Sequence, residues 1–175
     1  SNVRPITQLS DLNGIKIRTM EGTIPVATWN ALGANATPMA WSETYTAYVQ
    51  GTIDAVELPY NSIVANGFDQ ISAYCSTTNH QYSQDIIALS ASFWESLNES
   101  EQALLQEAAD YAAEYQIGVM EDTEEVFIDE MAANGCVVNK ITDFTEFIEA
   151  TEFLYDEYAE DLGDIYTEIL EAVGR

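Results

Sequence analysis

The sequence is poor in positive charge. Its 175 residues include five lysines and arginines against thirty aspartates and glutamates, for a formal net charge of -25. That balance excludes nucleic acid as a partner, because counterion release from phosphates needs clustered basic side chains. An anionic membrane surface is disfavoured for the same reason. There is no run of 18 apolar residues, so no segment is long enough to span a bilayer as a helix. Cysteine is scarce too. Cys75 and Cys136 are the only two, with no Cys-x-x-Cys, which removes zinc-ribbon and dithiol redox motifs. One disulfide, kept in an exported protein, and two buried free thiols both fit such a pair. His80 is the single histidine. No Gly-x-Ser-x-Gly elbow accompanies it and no glycine-rich phosphate loop appears, so no catalytic constellation is present. Neither an enzyme nor a cofactor nor a metal site is expected. No secretory signal is recognisable at Ser1-Asn2-Val3, which reads as a start inside a longer sequence.

Apolar residues are not scarce. At 47% hydrophobic content, the chain can bury a substantial core in one domain or slightly more. The carboxylates read as a solvated surface. A high-salt or acidic extracellular habitat, where counterions screen such charge, is the sharper alternative. Ile15 to Thr19 is a β-branched run that predicts a strand with one face inward. A helix follows, with Pro25 in its first turn and Gly33 as its stop. Ala36 to Met39 predicts a second strand, and Ser42 caps a second helix that ends at Gly51. Ile53 to Leu58 predicts a third strand. Such alternation implies an α/β fold with a parallel sheet, whose strand C-termini collect the ligand-binding loops. Arg18, Trp41 and Glu57 all fall at or near those ends.

The same stretch resembles the second half of a TRAP-transporter solute-binding protein of the DctP type. The matching residues run Lys16-Ile17-Arg18, then Leu32-Gly33-Ala34-Asn35-Ala36-Thr37-Pro38-Met39-Ala40-Trp41-Ser42-Glu43-Thr44-Tyr45-Thr46-Ala47. Gln50-Gly51-Thr52-Ile53-Asp54 and Glu57-Leu58-Pro59 follow in order. The match is good to about residue 134 and weak beyond. The resemblance implies a type II periplasmic-binding-protein-like fold: a parallel-sheet ligand lobe, a long lobe-spanning helix and C-terminal helices. It implies a second ligand lobe at 1–80, a crossover toward the other lobe at 81–97, the long helix at 98–134 and C-terminal elements at 135–175. Family members are nearly twice this long, so most of a first lobe is expected to be absent. Apolar surface left uncovered by that lobe predicts dimerisation or a rearranged helix.

The remaining elements are read from pattern. Pro59 to Asn66 predicts a helix, and Ile71 to His80 and Ile86 to Ala91 predict extended segments. Asn98 and Glu101 form a capping box ahead of a helix that runs to about Asn134. Leu104, Ala108, Ala112, Tyr115 and Val119 form its apolar stripe, with a kink expected at Gln116 to Gly118. Cys136 to Ile141 predicts a strand, and Thr142 or Asp143 caps the next helix. Phe144, Phe147, Ile148, Thr151, Leu154, Tyr158 and Leu162 make that helix's buried face. Ile165, Ile169 and Val173 point inward from the last helix.

The function implied by the resemblance is capture of a small organic carboxylate outside the membrane, in the periplasm or its equivalent. Delivery is to the membrane permease subunits of a TRAP-type transporter. A ligand-sensing receptor domain of the same fold is the alternative, and an enzyme the lesser one. Arg18 can clamp a carboxylate with its planar fork; a structural ion pair with Glu21, Glu43 or Glu57 is the competing reading. By resemblance, Trp41 covers the ligand's carbon skeleton, and Glu57 and His80 help hold it. Leu58 stands where the family usually has Asn, which removes a polar contact. Glu21 falls where some members place a polar ligand contact. Tyr60, Asn61 and Tyr82 are weaker candidates at the same rim.

Overall fold

The protein is described by a computed structural model over residues 1–82 and 84–172, with Glu121 represented by its backbone alone. The expected alternation is present. After a 3-10 turn at Leu9–Leu12 come β1 (Lys16–Thr19), α1 (Thr23–Ala31), β2 (Asn35–Pro38), α2 (Trp41–Val49) and β3 (Ala55–Val56). The sheet is parallel with β1 in the middle, in the order β2-β1-β3. Arg18 faces Thr37 on one side and Val56 on the other. The chain steps from β1 out to β2, then returns across β1 to β3. Right-handed crossovers therefore place α1 and α2 on opposite faces. The direction of winding reverses at β1, the kind of switch point where a crevice opens beyond the strand ends.

Two cores cover the two faces. Ile15, Ile17, Trp29, Leu32, Ile141 and Phe147 pack together on the α1 side. Tyr48, Ile53 and Phe68 pack on the α2 side, joined by Leu58. Cover on both sides explains why β1 does not alternate as expected: Ile17, Arg18 and Thr19 are all buried. Gly33 ends α1 with φ of 87°, and a Cβ there would lie 2.7 Å from the Asn13 side-chain oxygen. β3 is shorter than the expected Ile53 to Leu58. Asp54 is bound to the start of β1, its N–H donating to the Lys16 carbonyl and its carboxylate accepting from the Lys16 N–H. Past Val56 the chain leaves the sheet, and Pro59 caps α3 (Tyr60–Ala65).

A separate parallel pair follows, β4 (Tyr74–Thr77) with β5 (Val137–Lys140). Between them lie α4 (Ala91–Ser96) and α5 (Glu99–Ala133). Residues 84–90 form no strand; Ile86 is 87% exposed and no described strand lies beside it. The capping box forms as read: the Asn98 side chain accepts from the Ser100 and Glu101 N–H groups, and Glu101 accepts from the Asn98 N–H. α5 is one unbroken helix from Glu99 to Ala133, Gln116 to Gly118 included. Its expected apolar stripe is exposed, Leu104 and Tyr115 strongly so. The helix's described buried apolar contacts lie near its C-terminal end, where Ile128 and Met131 pack with Cys75 and Cys136, while Gln102 near its start donates to the Trp94 and Leu97 carbonyls.

α6 (Thr145–Leu162) and α7 (Asp164–Ala172) close the chain. Asp143 supplies the first bond to α6, accepting from the Thr145 N–H. Phe147 and Leu154 are buried, but Ile148 is half-exposed and Leu162 lies at the edge. Ile165 and Ile169 of α7 are exposed rather than inward, and Val173 lies outside the described residues. Both misreadings have one cause. A 3.6-residue stripe marks the side of a helix that would be buried, and here no described element packs on it.

The cysteines are free and buried. Cys75 is in register with Val138, two positions past Cys136. Strand spacing and rise then put their Cα atoms about 8 Å apart, beyond the roughly 7 Å that a disulfide bridges. Burial pushes the Cys75 thiol up to about 11, and pushes Cys136 up as well. Intact mass without reductant is expected to show two free thiols, both unreactive to iodoacetamide at pH 8 until denaturant is added. A bridged mass, or fast native alkylation, contradicts this packing. The exposed stripe of α5 is expected to make the isolated 175-residue chain self-associate, increasingly so as salt screens its charge. Light scattering that shows monomer at every salt and protein concentration contradicts it.

Candidate functional site

Arg18 stands at the C-terminal end of the central strand and is 6% exposed. Its Nε and Nη2 groups both donate to the Met39 carbonyl, at 3.3 and 3.1 Å. Pro38 ends β2 there, and the Met39 N–H donates to the Thr19 carbonyl, which fixes that turn against β1. Ala40, not Ser42, is the N-cap of α2. That places Trp41 on the first turn, with its ring centroid 5.6 Å from the Arg18 guanidinium carbon. The indole is 46% exposed and also packs on Phe68.

A guanidinium carries five N–H donors, and one carbonyl occupies only part of the set. The ion pairs among the described residues are Lys16–Asp54, His80–Glu57 and Lys140–Glu125. Arg18 thus has no described carboxylate within 4.0 Å, and its expected competing pairs with Glu21, Glu43 and Glu57 are not formed. Glu21 lies in the exposed loop after β1.

Glu57 and His80 make a second locus. His80 Nε2 lies 3.4 Å from Glu57 Oε2, with side chains 19% and 14% exposed. The contact is close enough for an ion pair, yet it does not meet hydrogen-bond geometry, and Nε2 is buried without a hydrogen-bond partner. We read it as a polar approach rather than a formed bond. The other ring nitrogen, Nδ1, is fixed at 2.8 Å from the Thr78 hydroxyl. Trp29 packs on the imidazole at 4.7 Å between ring centroids. Glu57 makes no described hydrogen bond of its own.

This pair forms part of the wall of two cavities. One, of about 450 Å³, is bordered by Glu57, Leu58, Asn61, His80, Tyr82 and the α5 side chains Gln116, Met120, Glu124 and Phe127. The other, of about 420 Å³, lies between α1 and α6 and is largely apolar. Tyr60 and Asp85 also border the first cavity. The Asn61 amide is held partly by its own helix, its oxygen accepting from the Ser62 N–H. Leu58 turns one side to the α2 core and the other to the cavity.

The candidates therefore fall into two neighbouring groups. Arg18 with Trp41 is one; Glu57, Leu58, Asn61, His80 and Tyr82 form the other, and Glu21 belongs to neither. Arg18 and Trp41 border neither cavity. The groups adjoin through the sheet, because Val56 is the register partner of Arg18 and Glu57 follows it. Glu57 is the first residue past that pairing. Thr78, Trp29 and the α5 residues were not singled out from sequence. Positions 116, 120, 124 and 127 do recur at helical spacing, so a signal for that α5 face was present, one position from the stripe that was read.

A model of the family "bacterial extracellular solute-binding protein, family 7" (DctP) matches residues 1–161. The chain is similar to a solute-binding protein of Roseobacter denitrificans, 38% identical over 67% of this chain and 36% of the relative. It is similar to the ectoine-binding periplasmic protein TeaA of Halomonas elongata, 29% identical over 95% of this chain and 50% of the relative. In structure it resembles a TRAP periplasmic solute-binding protein of a Polaromonas species bound to D-erythronate. That match has a TM-score of 0.90 and 32% identity, and covers 98% of this chain and 56% of the other. The chain thus spans about half the length of the curated relatives it matches, or less.

Proposed function

This chain belongs to bacterial extracellular solute-binding protein family 7, and from that premise we propose that it captures a small organic carboxylate outside the membrane for delivery to a TRAP-type permease. Proteins of this family are transport solute-binding proteins, and the fold is that of the TRAP periplasmic binding proteins. No helix among the described residues is long and apolar enough to cross a membrane. The observation that carries the ligand class is Arg18: a buried guanidinium, in a protein of net charge -25, with no described carboxylate on it. The Polaromonas protein's D-erythronate and TeaA's ectoine each carry one carboxylate, which supports the same chemistry here.

Trp41 orients the guanidinium and offers a face to the ligand's carbon skeleton. The net charge repels an approaching anion, but salt screens that field beyond about 8–10 Å, while the contact with Arg18 acts at bonding distance. Closure of a second lobe over the site would remove water and strengthen the charge pair. His80 and α5 lie where such a hinge would run.

The test is calorimetry of the intact protein against a panel of small organic acids, with Arg18→Met and Trp41→Ala alongside. Loss of the guanidinium is expected to cost about 2–5 kcal/mol of affinity, at least roughly thirtyfold. Loss of the indole is expected to cost about 0.5–2 kcal/mol. Undiminished acid binding by Arg18→Met contradicts the proposal.

A further inference from the structure

We infer that the ligand carries a single carboxylate and, away from it, hydrogen-bond donors, so that a second carboxylate is rejected. The inference rests on the carboxylate reading of Arg18 above and concerns the other end of the same ligand. Arg18 is more than nine-tenths buried, with N–H groups beyond those that Met39 engages. Among the described residues it is the only cation at the C-terminal ends of the three-stranded sheet: Lys16 opens β1 at the opposite end and is tied to Asp54. A ligand therefore finds one guanidinium there and no second one.

What it meets next is acidic. Glu57 follows β3 directly, beside the strand that carries Arg18. Its side chain is 14% exposed and its carboxylate accepts no described hydrogen bond, while it borders the 450 Å³ cavity. That carboxylate is therefore available to accept from a donor on a ligand. The approach of His80 Nε2 at 3.4 Å does not occupy it as a hydrogen bond. The other charged side chains around that cavity are Asp85 and Glu124, and neither lysine nor arginine borders it. A hydroxyl or ammonium group placed there donates to Glu57. A carboxylate placed there adds a fourth negative group to three. Leu58, turned toward the same cavity, offers no donor to such an oxygen.

The test is a length-matched series on the intact protein at about 0.5 M salt, where the long-range field is screened. Butyrate, 4-hydroxybutyrate, 4-aminobutyrate and succinate share four carbons and differ at one end; the five- and six-carbon sets extend the reach. In the best-fitting set, the hydroxy or amino acid is expected to bind at least about tenfold tighter than the dicarboxylate, and tighter than the plain acid. The two donor arms separate a neutral from a cationic group. Glu57→Gln is expected to shrink the preference over the dicarboxylate to about threefold or less. If that variant does not fold, the wild-type series stands by itself. A dicarboxylate that binds as tightly as its donor-bearing partner overturns this inference and leaves the carboxylate reading intact. Binding of no acid in any set, or binding unchanged in Arg18→Met, overturns both.

Discussion

A positive charge held out of water needs something negative nearby, and among the described residues Arg18 has only a carbonyl and an indole face. Both offset part of the desolvation of a guanidinium; neither neutralises it. Thirty acidic residues are available in the chain, yet none of the described ones comes within ion-pair distance. The central position of β1 explains how this is maintained. With strands on both sides and cores on both faces, the end of β1 is buried, and the turn at Met39 and the first turn of α2 lie against it. The acids lie mostly on the exposed faces of α5 and α6. The guanidinium is thus pre-positioned, with little side-chain freedom left to lose when an anion arrives.

The second locus complements the first. Glu57 and His80 approach each other without a proper hydrogen bond, at the boundary between two cavities. In the proposed site, an acceptor with no described donor lies one strand away from a guanidinium whose described acceptor is the Met39 carbonyl, which polarises it. A ligand that matches it has an anionic end and a donating end. Selectivity then arises from what each end would leave unpaired as much as from what it gains.

Local pattern carried the parallel unit because its signals agree with one another. Ile15 and Ile17 face the core, Gly33 occupies a backbone region that favours glycine, and Asn98 with Glu101 closes a capping box. The placement of Arg18 and Trp41 near the C-terminal ends of the strands followed from the same alternation. Pattern failed where burial depends on partners distant in sequence or outside the described residues. The stripe through Leu104 and Tyr115 is apolar and exposed, and Ile86 has a strand-like sequence with no strand beside it. The cavity beside Glu57 joins α3, the segment after β4 and one face of α5. That juxtaposition, and with it Gln116, Met120, Glu124 and Phe127, is a tertiary fact. Glu21 was drawn in by resemblance alone, and the exposed loop leaves it outside.

The central claim is that the Arg18 guanidinium is unpaired until an organic anion meets it. Nitrogen-15 NMR of its side chain, followed through a titration of the intact protein with a small carboxylate, tests that directly. The account predicts an Nη2 resonance already held on the Met39 carbonyl in the free protein, and Nη resonances that shift and slow further as the acid saturates. Resonances that never move as the acid is added would contradict it.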